Sequence, residues 1–75
     1  MFDNNLVGIP LSIVDIRAIY LEGNGLKDTK RNRHVVLMDD IRNYLLEYGY
    51  RLLTVRYWNY SIGKMMKYYV IEKEV

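Results

Sequence analysis

Residues 51–75, RLLTVRYWNYSIGKMMKYYVIEKEV, decide the fold. Two runs rich in β-branched, aromatic and other apolar residues, 51–60 and 65–73, flank a short Ser61-Ile62-Gly63 segment. Such runs on either side of a glycine-containing turn predict a β-hairpin. A three-residue loop with Gly63 left-handed sets Tyr60 opposite Lys64, and the register follows by counting outward. Leu53 then faces Ile71, Val55 faces Tyr69, Tyr57 faces Lys67 and Asn59 faces Met65. On the other face Thr54 meets Val70, Arg56 meets Tyr68 and Trp58 meets Met66. The first face is the more apolar and is predicted to pack on helices. The second, with Arg56, Trp58, Met66 and Tyr68, is predicted to face outward. Five of the eight tyrosines, counting Tyr50 at the edge, and the single tryptophan lie here. That is more aromatic surface than a chain this small can hide.

Immediately upstream lies the clearest helical pattern. His34, Leu37, Met38, Ile41, Tyr44, Leu45 and Tyr48 recur at i, i+3, i+4 and i+7 spacing, with Asp39, Asp40, Arg42, Asn43 and Glu47 opposite. Gly49 supplies the stop. A shorter helix over residues 40–48, capped by Asp39, is the alternative start. Residues 27–34 are basic, with Lys27, Lys30, Arg31 and Arg33 diluted by Asp28. They read as a polar loop, or as a further helix capped by Thr29.

An earlier helix is predicted over residues 13–22. Ser12 and Asp15 have the spacing of a capping box, Leu11 and Ile16 that of a hydrophobic staple, and Gly23-Asn24-Gly25 ends the run. Its β-branched content also fits a strand, which would pair with residues 34–38 in a ββαββ order. The capping pattern favours the helix. Residues 1–10 form a lead-in, punctuated by Gly8 and Pro10, in which Leu6, Val7 and Ile9 are placed to add an edge strand or to cover the core. The expected fold is therefore α+β, a single domain over residues 1–75 with two helices packed on a C-terminal antiparallel hairpin.

Seventy-five residues without cysteine leave one small core and no disulfide. A chain of this size buries only ~60% of its unfolded surface. Its margin is roughly 3–5 kcal/mol, so dimerisation is one way to supply missing burial. The net charge of +2 is mild. No apolar run approaches the ~20 residues of a membrane span, and Met1-Phe2-Asp3-Asn4-Asn5 lacks the pattern of a signal peptide. A cytoplasmic protein is expected. Abundant Ile, Asn, Tyr and Lys match AT-rich genomes, including those of phages and plasmids.

Signatures of catalysis are nearly absent. His34 is the single histidine, whereas acid–base and metal sites need convergent partners. Asp39 and Asp40 are helix neighbours about 100° apart, poorly placed to chelate one ion, and suit a helix first turn. Gly23-Asn24-Gly25 lacks the lysine and spacing of a phosphate loop. The chain is expected not to be an enzyme and to need no cofactor or metal. No small-molecule substrate and no membrane partner are expected.

Two binding classes remain. Lys27, Lys30, Arg31 and Arg33, leading into a helix N-terminus, suit phosphate oxygens. Arg56, Trp58 and Lys64 on the hairpin, with Tyr60, Lys67 and Tyr68 nearby, suit stacking and backbone contacts of single strands. The order helix, basic turn, longer helix, hairpin resembles that of a winged-helix domain, which implies groove binding by the last helix and a hairpin wing. Two features depart from it: residues 27–32 make a poor middle helix, and the long helix carries Asp39, Asp40 and Glu47 outward. A nucleic-acid-binding regulator is the first expectation. The second is a protein-binding module whose interface is Arg56, Trp58, Tyr60, Met66 and Tyr68, residue types that interface cores favour. That class includes homodimers and small phage inhibitors of a host defence (anti-CRISPR-like) or transcription complex. The edge of the last strand, residues 68–75, is a further candidate for strand addition.

Overall fold

A computed structural model describes residues 4–74. Met1, Phe2 and Asp3 of the lead-in and Val75 of the expected strand edge lie outside the described residues. After a 3-10 turn at Asn4–Leu6 the order is α1 (Ile13–Gly23), α2 (Lys30–His34), α3 (Met38–Glu47), β1 (Tyr50–Asn59) and β2 (Lys64–Lys73). This is a small α+β domain with three helices and a C-terminal antiparallel hairpin.

Residues 13–21 are helical, which removes the ββαββ alternative. The deciding contacts are local. Ser12 Oγ accepts from the Asp15 N–H at 3.1 Å, and Asp15 Oδ2 accepts from the Ser12 N–H at 2.9 Å, closing the capping box. The staple residues Leu11 and Ile16 are both buried in the core. At the other end the Leu26 N–H donates to the Leu21 carbonyl and the Gly25 N–H to the Glu22 carbonyl, at 2.8 and 3.1 Å. That is a Schellman motif, with Gly25 at φ 71° as its left-handed residue. Gly23 has another purpose: a Cβ there would collide with the phenol of Tyr44, so its missing side chain lets α3 approach α1.

The basic run is not an approach to α3. It forms a helix of its own, α2, which Thr29 caps by accepting from the Asn32 N–H at 3.1 Å. Of the two sequence readings of this run, the helix capped by Thr29 is the one observed and the polar loop is not. The His34 start of the long helix is also corrected, as is the Asp39 cap: Val35, Val36 and Leu37 interrupt the chain, and α3 begins at Met38 after an Leu37 N-cap with no side-chain bond. Ile41, Tyr44 and Leu45 of the expected stripe are buried, whereas Tyr48 and His34 are exposed.

The hairpin is one residue out of its expected register. Tyr60, Ser61, Ile62 and Gly63 form a four-residue loop, closed by the Gly63 N–H donating to the Asn59 carbonyl at 2.9 Å. Asn59, not Tyr60, lies opposite Lys64, and Leu53 pairs with Val70, Val55 with Tyr68 and Tyr57 with Met66. On the other face Leu52 pairs with Ile71, Thr54 with Tyr69, Arg56 with Lys67 and Trp58 with Met65. A side-chain period of two turns that single-residue slip into an exchange of partners across the sheet.

The core lies between the helices and this second face. Ile16, Leu21, Ile41, Leu45 and Ile71 are its most enclosed side chains, joined by Leu11, Val36, Tyr44 and Tyr69. The lead-in runs along β2: the Gly8 N–H donates to the Ile71 carbonyl, and Leu11 and Tyr69 exchange two bonds of 2.8 Å. It thereby occupies part of the edge that the sequence left for strand addition. No helix among the described residues is long and apolar enough to cross a membrane.

Candidate functional site

The hairpin presents two surfaces of different kinds. Its inner face carries Tyr50, Leu52, Tyr69 and Ile71 against the helices. Farther toward the turn the same face outruns the helical layer, and Arg56, Trp58, Met65 and Lys67 are exposed there. Trp58 stacks edge-on with Tyr60 of the turn, their rings 6.4 Å apart. The outer face carries Leu53, Val55 and Tyr57 on β1 beside Val70, Tyr68 and Met66 on β2. None of these six belongs to the core or packs on it among the described residues. The side chains cover one another in part, with Tyr57 and Tyr68 rings 5.8 Å apart. Tyr57 is still 43% exposed and Met66 37%.

No charged residue interrupts this outer face. The Arg51–Glu72 ion pair, at 2.9 Å, bounds its open end, and Asn59 and Lys64 bound the turn end. The residues expected to form one protein interface are therefore divided. Met66 and Tyr68 lie on the outer face, Arg56 and Trp58 on the inner overhang, and Tyr60 in the loop at 89% exposure. Leu53, Val55 and Val70 belong with Met66 and Tyr68 and were missed. Counting back from a four-residue loop would have found them.

The expected nucleic-acid residues are also in two places. Lys27, Lys30, Arg31 and Arg33 lie on and before α2, which packs on α1. Arg56 and Trp58 lie on the hairpin overhang, and Lys64 falls at the turn end of the outer face. Arg33 is held by Asp28 at 2.5 Å. Lys30, Arg33 and His34 line a recess of about 280 Å³ together with Val14 and Arg17 of α1. Arg17 was not expected there. Its Nε is buried and meets no acceptor among the described residues. Asp39 and Asp40 are exposed in the first turn of α3, and Arg42 pairs with Asp39 at 3.5 Å. No three His, Cys, Asp or Glu side chains among the described residues converge as metal ligands.

One buried tyrosine separates the helices. Burial pushes the Tyr44 phenol above its usual pKa, and the neighbouring Tyr48 and Glu47 add to the shift. Its hydroxyl meets no partner at standard hydrogen-bond geometry among the described residues, although Tyr48 lies close, its ring 5.1 Å away. It sits where α1 gives way at Gly23, which marks it as a packing residue. Comparison with models of known protein families, with curated proteins and with solved structures gave no match.

Proposed function

We propose that this chain is a protein-binding module, a small regulator that docks the outer face of its hairpin on another polypeptide. The supporting observation is the uninterrupted six-residue apolar face of Leu53, Val55, Tyr57, Met66, Tyr68 and Val70. Tyr and Met are residue types that interface cores favour, and charge is depleted there. A surface built for single-stranded nucleic acid interleaves cations with its aromatics. This one has none between its two ends.

Capture by the immobilised chain, with Tyr57→Asp as the control, tests the reading. Tyr57 is half-exposed, so the variant is expected to fold and to lose the captured protein. Equal capture by both would overturn the assignment of the face.

The α1–α2 recess favours a second reading, in which phosphate groups of a nucleic acid meet Arg17, Lys30, Arg31 and Arg33. Binding would then fall steeply with salt, and Lys30→Ala with Arg31→Ala would weaken it equally for all sequences. The log–log salt slope would drop by about one for each phosphate contact removed. The acidic outer surface of α3 counts against groove insertion, so such contact would run along the backbone. Absence of binding at low salt would end this reading.

A further inference from the structure

The geometry points to a second copy of this chain as the occupant of the outer face, stacked on it with the two hairpins antiparallel. This rests on the reading of that face as a protein interface and names the partner.

The first support is area. The chain exposes 5610 Å² at a mass of 9.0 kDa, whereas a compact monomer of that mass exposes about 4,850 Å². The excess over the whole chain is about 750 Å². Its radius of gyration, 13.0 Å, likewise exceeds the ~11.4 Å of a compact chain of this length. The outer face holds part of that surplus, with Tyr57 and Met66 exposed and Leu53, Val55, Tyr68 and Val70 half-buried; Trp58, Tyr60, Ile62 and Met65 near the turn hold another part.

The second support is shape. The outer face is two short columns, Leu53-Val55-Tyr57 on β1 and Val70-Tyr68-Met66 on β2, with Val55 and Tyr68 paired at the centre. A twofold axis between the sheets, perpendicular to the strands and passing over Val55 and Tyr68, stacks each strand on its own counterpart. Leu53 then lies over Tyr57 of the second copy, and Val70 over Met66. Bulkier side chains meet slimmer ones at both ends, while at the centre Val55 meets Val55 and Tyr68 meets Tyr68 of the second copy, across sheets that pack ~10 Å apart. Turning the second hairpin end for end sets Tyr57 over Met66 and Leu53 over Val70, which wedges the sheets apart.

The third support is charge. No Asp or Glu occurs between Glu47 and Glu72, while Arg56, Lys64 and Lys67 all lie toward the turn. The antiparallel stack keeps the two cationic ends apart and brings Lys64 over Glu72 of the second copy, twice by symmetry. The opposite stack collects both cationic ends in one place. Like charges brought together destabilise an interface.

Sedimentation analysis of the intact chain over a wide concentration range tests the proposal. The wild type is expected to be a dimer. Val55→Lys, which sets two lysines on the axis, is expected to weaken self-association about a hundredfold or more with an unchanged circular dichroism spectrum. Should Val55→Lys fail to fold, Met66→Glu at a more exposed site serves the same purpose. Lys64→Glu, which sets an acid over Glu72 of the second copy at both ends, should weaken the dimer, and a dimer that Lys64→Glu leaves unchanged overturns the antiparallel stack. A wild-type monomer at every concentration overturns the second copy, as does a dimer indifferent to Val55→Lys and Met66→Glu. If that monomer still captures a different protein in a Tyr57→Asp-sensitive manner, the interface reading survives without the second copy. Monomer and no capture together remove both.

Discussion

On the inner face of the hairpin Leu52, Tyr69 and Ile71 meet the helical layer; on the outer face Leu53, Val55, Tyr57, Met66, Tyr68 and Val70 meet no core residue among those described. The two sets alternate along the same strands and have the same chemistry. What separates them is register and the reach of the helices. α3 packs on β1 and α1 on β2, and the lead-in fixes Tyr69 and Ile71 from the side. One face of a two-stranded sheet is thereby consumed by folding, and the other stays outside the core among the described residues.

Substitutions should respond to that difference in graded fashion. The largest loss is expected on the inner face. Ile71 is fully buried, so Ile71→Ala should cost about 2–5 kcal/mol in chemical denaturation, enough to unfold a chain of this size. The same truncation at Val70, one residue along and on the outer face, should cost well under about 1.5 kcal/mol in the monomer. Equal losses would erase the distinction between faces. Ser12→Ala weakens the helical layer that covers the inner face and should cost about 0.5–2 kcal/mol by loss of the capping box.

The smallest effect is expected at Tyr44. Removing a buried hydroxyl that meets no well-aligned partner among the described residues, Tyr44→Phe should change stability at neutral pH by less than about 1 kcal/mol. Its sign shows with pH. A phenol raised above its unfolded value favours folding while neutral, so that contribution is present below the unfolded pKa near 10 and is lost as pH rises through the folded value. Denaturation between neutral pH and about 11 should therefore show the wild type losing more stability than Tyr44→Phe. Parallel curves would contradict the cause assigned to the shift.

Much of the helical layer was legible because its signals are local. Ser12 with Asp15, the glycines after Leu21, the stripe of Ile41, Tyr44 and Leu45, and the left-handed Gly49 and Gly63 each announce themselves within a few residues. The site was only half legible. Both faces of the hairpin are rich in apolar residues, so alternation cannot say which is inside, and the choice between a three- and a four-residue loop carries the whole assignment. Tyr60 opposite Lys64 was as plausible by turn chemistry as Asn59 opposite Lys64. α2 was hidden for another reason: KRNRH has no apolar stripe, and only the Thr29 cap marks it. Arg17 was missed because its neighbours in space, Lys30, Arg33 and His34, lie more than a dozen residues away in sequence.

An isotope-filtered nuclear Overhauser experiment on a mixture of labelled and unlabelled chain reads the stacking of the outer faces from contacts between copies. Cross-copy contacts are expected from Leu53 to Tyr57 and from Val70 to Met66, with Ile16, Ile41 and Ile71 silent. Cross-copy contacts confined to Trp58 and Met65, or to α2, would contradict it.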